Sequence, residues 1–423
     1  MKFELPYGKT RLPLELKDSE VVSVLTSGTE EYRPDGTESE LVERAMKNPI
    51  GSPRLCELAK GKKKVVIIAS DHTRPVPSKF IIPPMLKEIR EGNPAAEITI
   101  LIATGCHRPT TDAELRAKFG DEIVDSEKII VHNCADESML TKLGTLPSGG
   151  ELIINKTAVE ADLLCSEGFI EPHFFAGFSG GRKSVLPGIA SKKTVYANHC
   201  GAFIESKAAR TGLTVGNPIN VDMEYAAEKA GLRYIVNVVL NGKKQIINAF
   251  AGDTVKAHDT GCEFVKSLCC RKATPSDIVI STNGGYPLDQ NIYQSVKGMT
   301  AAEAAVKKGG VIIMLSRADD GHGGEGFCRF FRQPKTNDEL AADFAATPAD
   351  MTLPDQWQAQ ILVRILRRAT VIYVSDAPRS LIEELRMTYA SSLPEAVEMA
   401  RKIAPENPKF TVIPDGVAVT VLE

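Results

Sequence analysis

The alternation of apolar and polar positions along the chain predicts short buried strands separated by amphipathic helices. Continuous apolar runs over residues 65–70 and 98–103 are typical of strands that are buried on both faces. A helical pattern over residues 78–91 lies between them, and Thr111 or Asp112 can cap the helix that follows the second run. Strands and helices that alternate at this length predict a largely parallel sheet with helices on its faces.

The same rhythm continues to about residue 269. Further strands are predicted at 128–132 and 161–166, and further helices at 219–230 and 255–269. The apolar runs YIVNVVL and KQIINAF flank Asn241-Gly242, which is a strong signal for a hairpin with a two-residue turn. The first 60 residues predict only short strands and one helix.

A second α/β series follows the polar stretch RKATPSD, which predicts a domain boundary. Strands are predicted at 277–281, 310–315 and 371–375, and helices from about Asp289 and at 338–345, 357–368 and 393–403. We therefore predict an α/β protein of two domains, each with a largely parallel or mixed sheet flanked by helices. Residues 1–272 form the N-terminal domain, residues 273–405 form the C-terminal domain, and the strand-like tail 406–423 returns to the first.

Composition and charge are those of an ordinary globular protein and argue against two classes of partner. The 423 residues are 43% hydrophobic and 25% charged, which suits sizeable cores. A net charge of −3 offers no basic field for nucleic acid or acidic lipid, and no apolar run approaches the roughly 20 residues that span a bilayer. We therefore expect neither a nucleic-acid partner nor a membrane.

The cysteines and the first residues bear on the compartment. Nine cysteines are scattered along the chain without a CxxC pair, and a chain of this length needs no disulfide to hold its fold. The start, MKFELPYGKTRLPLELKD, has no apolar core and so predicts no signal peptide. These features favour the reducing cytoplasm.

Polar residues follow the first two strands where each of them ends. The letters DHTR follow the first strand and CHR follow the second. If the two strands are neighbours, Asp71, Arg74, His107 and Arg108 face one crevice, and such crevices bind ligands in open α/β sheets. The alternative is that these are turn and cap residues.

The stretch GFSGGRKS, residues 177–184, nearly matches a nucleotide-binding P-loop. Arg182 stands where the second glycine of GxxxxGK[ST] is required, which disfavours a Walker-type ATPase. Lys183 lies near three phenylalanines, so it is also a candidate nucleophile for a covalent link to a cofactor. The residues suited to seating a phosphate are Gly177, Gly180, Gly181, Arg182, Lys183 and Ser184. The alternative, a flexible surface turn, leaves the phenylalanines unexplained.

Three histidines are candidates for chemistry. His107 and His173 suit a general acid/base pair, because imidazole titrates near neutral pH. His199 is either a third such group or a metal ligand. The absence of HxxxH and CxxC patterns argues against a zinc site built entirely from protein groups.

Four residues of the second half are candidates for substrate binding. Tyr293 and Lys297 share one face of a predicted helix, and Gln294 follows Tyr293 directly. A cation there with a phenol and an amide nearby suits a small carboxylate. A solvated helix face is the alternative. Trp357, the one tryptophan, is either core or the apolar wall of a pocket.

Five motifs carry a family resemblance: SDHTRPVP, ATGCHRPT, EPHFFAGFSGGRKSVLPGIAS, ANH and YQSVKGM. Together they resemble the nickel-pincer lactate racemase family over essentially the whole chain. The resemblance implies a site in the cleft between the two domains. It also implies nickel and a pyridinium-3,5-bisthiocarboxylic acid mononucleotide, covalently linked to the chain and made by cofactor-synthesis enzymes.

The resemblance assigns roles by position. His107 and His173 match the acid/base histidines, Lys183 the attachment residue and His199 the nickel ligand. The loop that matches cofactor contacts consists of Asp71, His72, Thr73 and Arg74, with Arg74 near the reacting centre. Gln294 and Lys297 match substrate-carboxylate contacts, and Tyr293 and Trp357 match pocket walls.

The implied activity is the interconversion of the enantiomers of a short 2-hydroxy acid, with lactate favoured. It proceeds by reversible hydride transfer to the tethered nucleotide, through a 2-keto acid intermediate, because the α-hydrogen is too weakly acidic for imidazole to remove as a proton. Three alternatives stay open. They are a racemase or epimerase of the same family for a larger 2-hydroxy acid or sugar acid, a nucleotide-phosphate-binding transferase, and a nickel carrier.

Overall fold

The computed structural model describes residues 1–422, and its strands are numbered here in chain order. The strands are β1 (Lys2–Tyr7), β2 (Thr10–Glu15), β3 (Val21–Val24), β4 (Lys64–Ser70), β5 (Glu97–Ala103), β6 (Lys128–Val131), β7 (Leu140–Thr145), β8 (Glu151–Asn155), β9 (Leu163–Phe169), β10 (Pro172–His173), β11 (Gly177–Phe178), β12 (Leu232–Leu240), β13 (Ile246–Gly252), β14 (Cys270–Lys272), β15 (Ser276–Thr282), β16 (Val306–Leu315), β17 (Thr370–Val374), β18 (Thr388–Ala390), β19 (Phe410–Ile413) and β20 (Thr420–Leu422).

The helices are numbered in the same way. They are α1 (Glu38–Lys47), α2 (Leu55–Leu58), α3 (Ser78–Gly92), α4 (Asp112–Phe119), α5 (Asp121–Ser126), α6 (Lys156–Val159), α7 (Lys192–Asn198), α8 (Gly201–Glu205), α9 (Pro218–Ala230), α10 (Lys256–Cys269), α11 (Ile292–Ala305), α12 (Glu325–Cys328), α13 (Asn337–Ala346), α14 (Gln356–Arg368), α15 (Arg379–Glu384) and α16 (Leu393–Ile403). None of the helices within residues 1–422 is long and apolar enough to cross a membrane.

The central unit comprises residues Gly28–Asn198 and Ala208–Leu268. Its six-stranded sheet has the order β13-β12-β9-β4-β5-β6. All neighbours in it are parallel except β13, which pairs antiparallel with β12. The middle strands β4, β5 and β9 are buried along nearly their whole length, which is why their sequences read as continuous apolar runs.

The terminal unit comprises residues Met1–Ser27, His199–Lys207 and 269–422. Its six-stranded sheet has the order β18-β17-β16-β15-β19-β3, and every pair in it is parallel. Side chains from β1, β2 and α16 join the core on one face of this sheet.

The predicted α/β class and its alternating elements are confirmed. Helix α16 has the predicted bounds, and α4 begins after Thr111, whose hydroxyl accepts a hydrogen bond from the Glu114 amide in a capping box. The two-residue turn at Asn241-Gly242 is wrong. The strands β12 and β13 do form a hairpin, but residues 241–245 form the loop, with Lys244 at φ 62° and the Asn241 side chain accepting from the amides of Lys243 and Gln245.

The predicted domains are continuous segments of the chain. The two units that the contacts define each combine segments that are separate in sequence. Strand β3 pairs with β19, so the first residues cluster with the C-terminal part of the chain. Within the tail, β19 pairs with β15 and β20 pairs with β14. Glu423, the last residue of the predicted tail, lies outside the described residues. The sequence predicted that the tail returns to the first domain, but short strands carry too little pattern to show which sheet they join.

Candidate active site

Three neighbouring strands of the central unit end at the same edge of its sheet. Strands β9, β4 and β5 are adjacent and parallel, so the segments that follow them lie side by side. Asp71 follows β4, His107 lies four residues beyond β5, and His173 lies four residues beyond β9. The predicted convergence of the first two segments at one edge is confirmed.

Asp71 and His107 form a direct pair at this edge. The Nδ1 atom of His107 lies 2.7 Å from Oδ2 of Asp71. Asp71 is 1% exposed, whereas the His107 side chain is 42% exposed. A carboxylate only accepts hydrogen bonds, so Nδ1 carries the proton and Nε2 of the neutral ring is left as the acceptor. His107 is thereby held in the tautomer of a general base.

The charge of Asp71 is stabilised although the side chain is buried. Burial by itself raises the pKa of this carboxyl, but hydrogen bonds from His107 and Thr73 and the charge of Arg74 outweigh it and leave the pKa below its usual value. The hydroxyl of Thr73 donates to Oδ1 at 2.7 Å and accepts from Arg74 Nη1 at 3.0 Å. Arg74 is exposed, so its charge is available at the surface of this loop.

Two residues of the same loops form hydrogen bonds at or near the start of the helix that follows. His72 Nδ1 lies 3.0 Å from the hydroxyl of Thr110. Arg108 donates to both carboxylate oxygens of Glu114, at 2.5 and 2.9 Å. For Arg108 the alternative interpretation therefore holds, because its guanidinium supports the capping box of α4.

His173 lies in a small hairpin, where β10 pairs with β11. Its Nδ1 accepts a hydrogen bond from the Ala176 amide at 3.3 Å. The rings of Phe174 and Phe175 lie 5.1 and 4.6 Å from the imidazole. With Nδ1 as the acceptor, the neutral ring carries its proton on Nε2, which is the opposite tautomer to His107.

Three glycines of the stretch 177–184 lie so close to neighbouring atoms of the protein that a Cβ would not fit. Gly180 has φ 80°, and a Cβ there would lie 2.6 Å from Asn237 Oδ1 and 2.9 Å from the Phe169 carbonyl. Gly181 has φ 51°, and a Cβ there would meet the His258 ring at 2.9 Å. Gly177, at φ 79°, approaches the Leu213 carbonyl in the same way. No side chain larger than hydrogen fits these three positions.

The polar groups of the turn are largely bonded within the protein. The Gly181 amide donates to Asn237, the Lys183 amide donates to the Gly180 carbonyl, and the Ser184 hydroxyl donates to the Gly181 carbonyl. These amides therefore do not form the open phosphate nest of a P-loop, which weakens the transferase alternative. That the turn binds a cofactor stays a prediction.

Arg182 points into the protein. It is 3% exposed, and its guanidinium donates to Asn220 Oδ1 at 2.5 Å and to the Ala176 carbonyl at 3.0 Å. Its Nη1 lies 2.8 Å from the His258 ring, which in turn contacts the Ser179 carbonyl. Arg182 thus stabilises the turn through buried hydrogen bonds. The sequence had predicted instead that its charge would bind an anion at the surface of the turn.

Lys183 is half-buried in the short 3₁₀ turn Gly181–Ser184. Its ammonium lies 5.9 Å from the centre of the Phe175 ring. The chain then returns to the end of β5, where the Gly105 amide donates to the Gly188 carbonyl at 2.9 Å. This backbone hydrogen bond joins the segment that follows Lys183 to the loop that carries His107.

In the terminal unit, the predicted helix face forms as expected. Tyr293, Gln294 and Lys297 are half-buried on α11, whereas Ser295 and Val296 between them are buried. The Tyr293 hydroxyl donates to Asp355 at 3.3 Å, a contact that the sequence did not predict.

His199 and Trp357 meet in the terminal unit. Their ring centres are 5.2 Å apart with planes at 70°, and His199 is 5% exposed. The following turn is fixed to α14, where the Gln360 amide donates to the Gly201 carbonyl at 2.9 Å. Among residues 1–422 no group of three or more His, Cys, Asp or Glu side chains can hold a metal ion. A metal at His199 therefore needs donors from a non-protein group, and a single buried imidazole fits a cofactor that brings its own metal donors.

Family models match both parts of the chain. The model of the lactate racemase N-terminal domain matches residues 7–212, and that of the lactate racemase C-terminal domain matches residues 271–421. The chain belongs to the lactate racemase family. Lactate racemases from Thermoanaerobacterium thermosaccharolyticum and Lactiplantibacillus plantarum are each 54% identical to it, over 421 and 419 residues that cover 99% of both chains.

Solved structures agree with this membership of the lactate racemase family. The lactate racemase apoprotein from Thermoanaerobacterium thermosaccharolyticum superposes with a TM-score of 0.96 at 53% identity, and each chain is covered completely, at 100%. A protein from Thermotoga maritima is 20% identical and superposes with a TM-score of 0.67 over 92% of this chain and 100% of its own. The second likeness shows the fold alone.

Proposed function

We propose that this protein is a lactate racemase, an isomerase that interconverts the enantiomers of lactate. The Asp71–His107 pair is the observation that carries the proposal, because it holds an imidazole as a general base at the ligand-binding edge of the sheet. The two relatives that are 54% identical over the full chain are both named lactate racemase. The predicted location in the cytoplasm is part of the proposal.

The chain's own groups account for the proton steps. His107 accepts the substrate hydroxyl proton at Nε2, and Asp71 stabilises the imidazolium that forms. His173 delivers a proton on the opposite side. Before it does so, its ring takes up a second proton at Nδ1, which ends the weak 3.3 Å contact with the Ala176 amide. In the reverse direction the two histidines exchange roles. Arg74 stabilises the negative charge that develops on the substrate oxygen.

The remaining predicted residues hold the cofactor and the substrate. When bound, a nickel-pincer nucleotide supplies an electrophilic carbon that accepts the α-hydrogen as hydride. Lys183 provides the amine for its covalent link and His199 provides an imidazole for its metal. Lys297 and Gln294 bind the substrate carboxylate from one face of α11, with Tyr293 and Trp357 as walls. Enzymes that synthesise the cofactor are partners of the protein in this proposal.

The test uses protein made together with the cofactor-synthesis enzymes. We expect a mass increase on the peptide that contains Lys183, and interconversion of D- and L-lactate in which deuterium at the α-carbon is retained. Lys183→Arg keeps the charge and the fold but loses both the added mass and the activity. Fully active protein with an unmodified Lys183 peptide would refute the tether, and rapid loss of deuterium to water would refute hydride transfer. A panel of larger 2-hydroxy acids and sugar acids distinguishes lactate from the alternative substrates.

A further inference from the structure

Two cysteines lie at neighbouring strand ends beside the catalytic edge. Strands β5 and β6 pair in parallel, and beyond them the Thr104 hydroxyl donates to the His132 carbonyl at 2.6 Å. Cys106 and Cys134 each follow this contact by two residues. The strand register therefore brings the two loops, and with them the two thiols, side by side.

The two thiols differ in their exposure. Cys106 is exposed, whereas Cys134 is buried at 7% exposure. Hydrogen bonding from the Cys106 side chain, together with the charge of Lys192, lowers the pKa of the Cys134 thiol to about 7 against the opposing effect of burial. The pair thus combines an accessible sulfur with a second sulfur that is readily ionised near neutral pH.

We propose that Cys106 and Cys134 form a redox-active dithiol that closes to a disulfide and thereby switches off the site at His107. Cys106 is the residue immediately before His107, so a covalent bond to Cys134 draws this loop towards β6. A shift of this loop by about an ångström lengthens the 2.7 Å contact between His107 and Asp71 and misplaces the imidazole. The consequence for activity rests on the proposed function, whereas formation of the disulfide does not.

The oxidant is a small-molecule disulfide such as oxidised glutathione. The Cys106 thiolate attacks one sulfur of that disulfide, which forms a mixed disulfide and releases one small thiolate. The Cys134 thiolate then attacks the Cys106 sulfur and releases the second small thiolate. The two protein thiols lose two electrons and two protons, the small disulfide gains them as two thiols, and an excess of reduced thiol reverses both steps.

The order of attack follows from burial. A small disulfide reaches exposed Cys106 before it reaches Cys134, so Cys106 is the entry point and Cys134 the resolving thiol. Replacement of Cys134 should therefore trap the mixed disulfide on Cys106. Replacement of Cys106 should leave Cys134 unmodified.

The test treats the holoenzyme with oxidised glutathione and follows alkylation of its thiols, peptide mass and racemisation. We expect loss of two alkylatable thiols, a cross-linked pair of peptides containing Cys106 and Cys134, and loss of activity that dithiothreitol restores. Cys134→Ser should keep its basal activity and carry glutathione on Cys106. Cys56→Ser, which changes a half-buried cysteine of another segment, should respond like the unchanged protein.

Each remaining outcome decides against part or all of the proposal. Absence of the cross-linked peptides from the unchanged protein overturns the dithiol, whether or not the protein racemises lactate. A disulfide that forms without loss of activity overturns the switch. If Cys134→Ser does not fold, Cys106→Ser gives the same comparison, since it must lose both the cross-link and the response to oxidant.

Discussion

Asp71 Oδ2 lies 2.7 Å from Nδ1 of His107, and this contact joins the ends of two adjacent parallel strands. The buried carboxylate fixes the ring of a partly exposed histidine and decides which nitrogen acts as the base. His173, with the Ala176 amide donating to its Nδ1, is fixed in the opposite tautomer. Both features follow from local hydrogen bonds in the central unit.

Asp71→Asn should lower the racemisation rate by about 10²-fold or more while the fold is retained. The amide is similar in shape, but it is neutral and no longer selects the Nδ1–H tautomer of His107 or stabilises its imidazolium. Initial rates from both lactate enantiomers measure the effect, with circular dichroism to check the fold.

Glu114→Gln is a matched control for Asp71→Asn. Glu114 also lies beside a histidine of this edge, with His72 Nδ1 3.9 Å from its carboxylate, but it belongs to a capping box. We expect its rate to stay within about fivefold, since surface ion pairs contribute about 1 kcal/mol or less and 1 kcal/mol is about a factor of five in rate. Equal losses in the two variants would show that negative charge at the edge matters, and not the bond to His107.

Gly180→Ala should lower the free energy of unfolding by about 2–4 kcal/mol, through left-handed strain and a clash. The new Cβ would lie 2.6 Å from Asn237 Oδ1 and 2.9 Å from the Phe169 carbonyl, neither of which can move easily. Gly149→Ala is the control, because Gly149 also has positive φ, at 91°, but no atom lies within 4 Å of its Cβ position. Urea unfolding of both variants separates the cost of backbone strain from the cost of the clash. Equal losses of unfolding free energy in the two variants would leave strain alone as the cause.

The sequence predicted the strands of the central sheet well because burial on both faces leaves a continuous apolar signal. It also brought Asp71 and His107 to one edge, since parallel neighbours end on the same side. It could not predict the hydrogen bond between them or the tautomers of the histidines, because both depend on the exact positions of side-chain atoms. The sequence also predicted Arg182 to be an anion ligand. No local pattern shows that its guanidinium is enclosed by Asn220 and by His258, which is 76 residues away.

Acidification below about pH 6.5 should destabilise the protein through two buried histidines. Burial lowers the pKa of His258 to about 3 and that of His132 to about 4, from the ordinary 6.5. The unfolded chain therefore binds more protons than the folded chain below pH 6.5, and each histidine removes about 1.4 kcal/mol per pH unit until its folded pKa is reached. Urea unfolding at pH 7, 6 and 5 measures the slope.

His258→Gln removes one of these two titrating groups and keeps a side chain that can donate a hydrogen bond to the Ser179 carbonyl, which now lies 2.8 Å from the ring. The slope of stability against pH between 6 and 5 should fall by about half, whatever the loss at pH 7. An unchanged slope would assign the acid sensitivity to other groups.

Tyr293→Phe should lower the free energy of unfolding by about 1–3 kcal/mol, although the ring and its edge-on contact with Phe327 at 5.6 Å are kept. The lost hydroxyl donates to Asp355 at 3.3 Å, and burial already raises the pKa of that carboxyl, so removal of the donor leaves a poorly solvated charge. Asp355→Asn removes the charge instead and should cost less. In the double variant the cost of Tyr293→Phe should shrink, which a double-mutant cycle in urea measures as a coupling energy of about 0.5–3 kcal/mol. Additive costs would mean that the phenol is held by its packing and that Asp355 does not orient it.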